Sequence, residues 1–149
     1  MTIRKSKIVG LTLHHTAGST TDTVESIRKI HKAKGWGDIG YNFVLEIKNG
    51  KGYLKSGRDT KYIGAHAGVE YYNKYYLSIV IPGNYSKYTL PSEIYNDLIN
   101  AICHIMKKYD LKKLNGHREI KATECPGSKI NMDKIREDVS RKLGFTVEK

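Results

Sequence analysis

His117 and Cys125 lie eight residues apart in the segment Gly116-His117-Arg118-Glu119-Ile120-Lys121-Ala122-Thr123-Glu124-Cys125, closed by Pro126-Gly127. The stretch is too rich in loop residues for a regular helix. Imidazole and thiolate form a borderline-soft donor pair that suits zinc. Far upstream, Leu11-Thr12-Leu13-His14-His15-Thr16-Ala17-Gly18 ends a short apolar run in two adjacent histidines. One histidine from a strand end, with the later His and Cys, makes three protein ligands. Three ligands leave the fourth tetrahedral position to water, the arrangement of a catalytic rather than a structural zinc.

Those residues need a scaffold that ends a strand beside a loop. Ile8 to His14 reads as a short strand near the centre of a sheet. Alternation along a strand sends His14 and His15 to opposite faces. Asp22-Thr23-Val24-Glu25 reads as a capping box opening a helix to about Lys34, with Gly35 as the stop. Val24, Ile27, Ile30 and His31 share one face of it, where His31 is a packing residue rather than a ligand. Tyr41 to Ile47 is a strand, Asn49-Gly50 a hairpin turn, and Lys51 to Lys55 the returning strand. Leu77 to Ile81 is a further buried strand, ended by Pro82-Gly83-Asn84. Pro91 starts a long helix with Ile94, Leu98, Ile102, Ile105 and Tyr109 on one face. Asn131 caps a last helix carrying Ile135, Val139 and Leu143. Strands interleaved with helices predict an α/β fold: a single mixed central sheet flanked by about three helices. No repeat or linker divides the chain, so residues 1–149 are expected to form one domain.

Hydrophobic content of 39% and charged content of 28% fit a globular domain. No apolar run approaches the roughly 18 residues of a membrane span. The N-terminus lacks the apolar core of a signal peptide, so synthesis in the cytoplasm is expected, with outside help needed for exit. Two cysteines are too few for a disulfide framework. Cys103, at helical spacing from Ile99 and Met106, reads as a buried free thiol. The net charge of +11 implies a polyanionic partner: nucleic acid, an anionic membrane face or bacterial wall polymers. Its excess sits in residues 1–35 and 104–149, with no block resembling a basic nucleic-acid arm. The run Tyr71-Tyr72-Asn73-Lys74-Tyr75-Tyr76, followed by Tyr85 and Tyr88, interleaves aromatics with lysines and amides. Such rings stack on sugars or bases, or pack at a strand edge.

Taken in order, several segments resemble one family. They are Leu13-His14-His15-Thr16-Ala17-Gly18; Gly35-Trp36-Gly37-Asp38-Ile39-Gly40-Tyr41-Asn42-Phe43; Gly57-Arg58; Gly64-Ala65-His66-Ala67; Ser78-Ile79 through Gly83-Asn84; and Gly116-His117-Arg118-Glu119 with Cys125-Pro126-Gly127. The family is the zinc N-acetylmuramoyl-L-alanine amidases of the type 2 group, which includes phage lysozyme-amidases and peptidoglycan recognition proteins. The resemblance runs from roughly Lys7 to Leu143. It implies the fold of that group and hydrolysis of the bond between the lactyl group of N-acetylmuramic acid and L-alanine. It places one zinc on His14, His117 and Cys125, with His15 the weaker member of its pair, and it makes Tyr41 the catalytic tyrosine.

The phage branch carries a lysine two residues before the cysteine ligand. Here that position is Thr123, as in the recognition-protein branch, and Lys121 lies nearby. The auxiliary catalytic role therefore falls to Thr123, with Lys121 as the alternative. Trp36, Arg58, His66 and Asn73 become candidates for the substrate groove, His66 with room between Ala65 and Ala67 to reach outward. The implied partner is bacterial peptidoglycan, with anionic wall polymers drawn to the basic surface, no nucleic acid, no membrane insertion and a monomeric state. A leaderless, basic, single-domain amidase with no separate wall-binding domain is similar to a phage or prophage endolysin that acts on the wall after release. The rival readings are a non-catalytic peptidoglycan receptor and a nucleic-acid-binding protein with a structural zinc. The second needs a fourth protein ligand, from His15 or Cys103.

Overall fold

The computed structural model describes residues 1–149. Five strands form one sheet: β1 (Gly10–His15), β2 (Phe43–Lys48), β3 (Lys51–Ser56), β4 (Tyr76–Ile81) and β5 (Lys113–Gly116). Their spatial order is β3-β2-β4-β1-β5. Only the β2–β3 hairpin is antiparallel; β2–β4, β4–β1 and β1–β5 run parallel. Asn49 and Gly50 both take positive φ (51° and 75°), the backbone that a tight two-residue hairpin turn requires. Four helices complete the chain: α1 (Val24–Ala33), α2 (Glu70–Tyr75), α3 (Ser92–Lys108) and α4 (Met132–Leu143). The expected mixed α/β sheet is therefore present, and no helix is long and apolar enough to cross a membrane.

Alternation gives the sheet two unlike faces. Leu11 and Leu13 of β1, Leu77, Ile79 and Ile81 of β4, and Phe43 and Leu45 of β2 point to one side. There they meet Ile94, Leu98, Ile102 and Ile105 of α3 and Ile135 and Val139 of α4 in a cluster of 22 buried residues. On the other side Thr12, His14, Ser78 and Val80 are buried beneath α1 and the loops, and the apolar cluster there has 5 buried members: Val24, Ile27, Ile39, Val44 and Val80.

Several sequence expectations shift. The N-cap of α1 is Thr23, not Asp22, and its box closes on Ser26 rather than Glu25. Asp22 instead accepts from the Ser26 hydroxyl. Ile30 is 52% exposed. At 100° per residue, Val24, Ile27 and His31 fall within an arc of about 60°, and Ile30 lies about 60° beyond it, past the edge of the thin layer under α1. Tyr71 to Tyr75 of the tyrosine run are helical, and Tyr76 opens β4. Glu70 pairs with Lys74 one turn on, and the Tyr71 and Tyr75 rings sit 4.7 Å apart on the same face of α2. Tyr85 leaves the run entirely: it is buried and donates its hydroxyl to Pro82 O at 2.7 Å. Cys103 is a free thiol but only partly buried.

Candidate metal centre

Parallel pairing of β1 with β5 brings the first two ligand candidates together. The register aligns Leu13 with Gly116, so the next residues, His14 and His117, leave neighbouring strands at the same edge of the sheet. This is the carboxyl edge, where ligand crevices form in open α/β sheets. After Gly116 the chain makes a single 3-10 turn, His117–Glu119. The Arg118 N–H donates to Cys125 O at 2.7 Å, which closes the loop and returns Cys125 to the histidines. Arg118 also donates its guanidinium to Gly127 O and Ile130 O. Glu119 accepts from the Gly116 N–H and from Arg136, a pair of largely buried charges that fixes the turn under His117.

The donor atoms of His14, His117 and Cys125 lie within 4.8 Å of one another and form the cluster that could hold a metal ion. His14 Nδ1 is 3.5 Å from Cys125 Sγ. Two tetrahedral bonds, one to nitrogen and one to sulfur, span about 3.6 Å, so the spacing suits a tetrahedral ion. The outer nitrogens are already engaged. His117 Nε2 is 2.8 Å from Ala67 O, and His14 Nε2 is 3.0 Å from His66 Nδ1. The bare Nδ1 atoms are thus left to face inward, as ligating imidazoles need. His15 points to the opposite face and its Nδ1 accepts from the Tyr85 N–H at 3.1 Å. Cys103 sits on α3 beside the large core. Neither joins the cluster, so the donor set is three protein groups.

The electrostatics suit a cation. Burial, then neighbouring His66 and His117, depresses His14 well below the usual imidazole range, which keeps it neutral. Burial lowers His117, and Lys121 lowers it further, against the bond to Ala67 O. Burial pushes the Cys125 thiol up to about 11, opposed by the His15 N–H and Arg118. A bound divalent ion reverses that last effect, because its charge favours the thiolate.

Tyr41 lies beside the cluster, its ring centroid 5.1 Å from that of His14. Burial, then Cys125, raises its phenol well above the ordinary range, so it stays a neutral hydrogen-bond donor. The loop carrying it is braced. Asn42 exchanges hydrogen bonds with Ser78 and donates to Arg58 O. The buried Arg58 guanidinium donates to Ile39 O, Ile63 O and Asp38 O. Arg58 therefore spends two guanidinium N–H groups on the Tyr41 loop, at Asp38 O and Ile39 O, and ties it to Ile63 O with a third. Thr123 is exposed, and its Oγ1 accepts from the Cys125 N–H at 3.3 Å. The Lys121 ammonium lies over Gly68, whose φ of 68° and missing side chain admit it.

A cleft of about 760 Å³ is lined by Trp36, Arg58, Gly64, Gly68, Asn73 and Lys74; His14, Tyr41, His117 and Cys125 are not among its lining residues. Three of the four groove candidates, Trp36, Arg58 and Asn73, thus share one cleft. His66 departs from expectation: its ring turns inward to His14 rather than outward, because Nε2 is held at 3.2 Å by Tyr76 O. Burial pushes it down to about 3 and keeps it neutral. His31 is a satisfied packing residue whose Nδ1 accepts from the Gly40 N–H at 2.8 Å.

A family model described as N-acetylmuramoyl-L-alanine amidase matches residues 4–128. Peptidoglycan-recognition protein SC1a of Drosophila melanogaster is 35% identical over 129 residues, covering 79% of this chain and 67% of that protein. The endolysin of Escherichia phage T7 is 28% identical over 107 residues, covering 69% of this chain and 68% of that protein. Among solved structures, the endolysin N-acetylmuramoyl-L-alanine amidase LysCS from Clostridium intestinale superposes with a TM-score of 0.78 at 27% identity, covering 97% of this chain and 92% of the other. With such a match over most of its length, the chain belongs to the N-acetylmuramoyl-L-alanine amidase family.

Proposed function

We propose that the protein is a zinc-dependent N-acetylmuramoyl-L-alanine amidase acting on bacterial peptidoglycan, in the manner of a phage or prophage endolysin. One observation carries this reading: three protein donors, not four, meet at the carboxyl edge of the sheet, beside a neutral tyrosine. Structural zinc sites are closed by four protein ligands, and His15, the nearest candidate for a fourth, faces away.

His14, His117 and Cys125 would hold the ion, which supplies Lewis acidity to the scissile carbonyl and makes a water acidic enough to lose a proton near neutral pH. The chain's own groups do the rest. The neutral Tyr41 phenol donates to oxygen as negative charge develops there. Thr123 receives the Cys125 N–H on its oxygen, which leaves its hydroxyl proton free for the same oxyanion. Lys121, at the rim over Gly68, is the competing cation. Hydrolysis breaks the lactyl–alanine C–N bond, with the hydroxyl going to the carbonyl carbon and a proton to the alanine nitrogen. Trp36, Asn73 and Lys74 offer an aromatic wall, an amide and a charge for the glycopeptide in the groove. The basic surface adds affinity for anionic wall polymers. On this reading the protein is monomeric, made in the host cytoplasm, and meets the wall after release.

Digestion of purified peptidoglycan tests the reaction. New L-alanine amine ends and muramic lactyl carboxyls support it, and reducing sugar ends would point to a glycosidase. The similarity to recognition proteins favours one rival, a receptor that binds peptidoglycan without cleaving it. Binding to walls with no release of amine ends would establish that rival.

A further inference from the structure

The two candidate histidine ligands have their outer partners on adjacent residues. His117 Nε2 reaches Ala67 O, and His14 Nε2 reaches the ring of His66. A ligating imidazole keeps its tautomer through such an outer bond. His66 Nε2 sits 3.2 Å from Tyr76 O, a pure acceptor, so that nitrogen carries the hydrogen and His66 Nδ1 is bare. The hydrogen between the two rings then belongs to His14 Nε2, and His14 Nδ1 is left free for a metal. Likewise Ala67 O can only accept, so His117 carries its hydrogen on Nε2 and bares Nδ1. The short segment His66–Ala67 thus dictates both tautomers.

That segment is irregular backbone, and its two consecutive N–H groups have one acceptor. Asn73 Oδ1 receives the His66 N–H at 3.0 Å and the Ala67 N–H at 2.9 Å. The Asn73 carbonyl also accepts from the Gly64 N–H at 3.3 Å. Asn73 itself is anchored in α2, where its N–H donates to Val69 O.

We propose that Asn73 is a positioning residue for the metal centre: its side-chain oxygen clamps the His66–Ala67 segment, and that segment presets the Nδ1 atoms of both His14 and His117 for metal binding. This rests on the zinc reading of the site, and it gives Asn73 and His66 a task besides lining the groove.

The test uses the whole chain, zinc alone as the probe, and two substitutions. Asn73→Ala removes the acceptor, and Asn73→Asp keeps it. Long-range proton–nitrogen NMR of zinc-free wild type should show His14 and His117 protonated on Nε2. Asn73→Asp should keep that pattern and bind zinc within about threefold of wild type. Asn73→Ala should mix the tautomers and weaken zinc binding, measured against a competing chelator, by about ten- to a hundredfold, as loss of an outer-layer partner does. A residue that served only as substrate contact would raise KM and leave both readouts unmoved, which overturns the proposal. Nδ1-protonated His14 in the wild type overturns it too. Should Asn73→Ala fail to fold, Asn73→Ser, whose shorter side chain cannot span both N–H groups, replaces it with the same expectation. Failure of the wild type to take zinc would count against the zinc reading, while the zinc-free tautomers still decide the role of Asn73.

Discussion

On one face of the sheet, Leu11, Leu13, Leu77, Ile79 and Ile81 meet α3 and α4 in a cluster of 22 buried residues; on the other, Thr12, His14, Ser78 and Val80 lie under α1 and loops with an apolar cluster of 5. The same strands build both. The first face removes apolar area from water and carries most of the hydrophobic stabilisation. On the second, Asn42 with Ser78 and His14 with His66 are held in place by hydrogen bonds. A site built on the second face can hold desolvated, reactive groups because the first keeps the domain folded without it.

That division of labour can be broken at either face. The largest effect is expected from Cys125→Ser, since a hydroxyl of far higher pKa cannot replace a thiolate ligand. Wall cleavage should fall to background, while the cooperative thermal transition and low-salt sedimentation with peptidoglycan persist. Loss of the cooperative transition would mean that the metal, not the large core, holds the fold. Next, Leu98→Ala should cost about 2–5 kcal/mol in denaturant unfolding of the zinc-free protein. Ile27→Ala, in the small cluster, should fall at or below about 2 kcal/mol, because the thin layer can collapse around the deletion. Equal losses would erase the distinction between the faces.

Tyr41→Phe removes one hydroxyl and should leave zinc binding and stability intact while slowing turnover about a hundredfold or more, read as kcat. Thr123→Ala should slow it less, because Thr123 is exposed and partly engaged with the Cys125 N–H. A larger loss in Lys121→Ala than in Thr123→Ala would move the auxiliary role to Lys121. The smallest effect belongs to the α3–α4 side. The Tyr95 hydroxyl, then Lys134 and Arg141, holds the Asp138 carboxyl at about 2, below its ordinary 3.8. The unfolded chain therefore takes up that proton first as pH falls, so the contribution is present above about 4 and fades toward pH 2. Thermal midpoints of wild type and Asp138→Asn should differ at pH 6 and converge near pH 2. An unchanging difference would show that the carboxylate charge is not what matters there.

The sequence was informative where chemistry or punctuation is local. Asn49-Gly50 marked the hairpin, Asn131 the start of α4, and the imidazole–thiolate pair the candidate metal cluster. Strand β5 carried no such signal. Lys113-Leu114-Asn115-Gly116 has one apolar side chain and is a strand because β1 offers it an edge. The inward turn of His66 and the clamp at Asn73 were hidden for another reason. Small neighbours suggested that the His66 ring had room to point outward, but its direction is set by Tyr76 O and His14, which the fold alone brings near. The tyrosine run showed its composition and not its helix, since two tyrosine pairs around Asn73-Lys74 match neither period clearly.

The spacing of the cluster along the chain has a consequence for how the molecule comes into being. His14 and Cys125 are 111 residues apart, and between them lie β2, β3, β4 and the whole of α3. No segment released early from the ribosome contains a complete donor set, so the ion cannot seed folding as it does in a zinc finger, where the ligands are close neighbours. On the zinc reading, metal uptake would be the last act of assembly, after β5 has added itself beside β1. A chain cut in the turn between α3 and β5 should therefore yield two pieces that are each unable to bind zinc tightly, and that recover binding only when mixed and folded together.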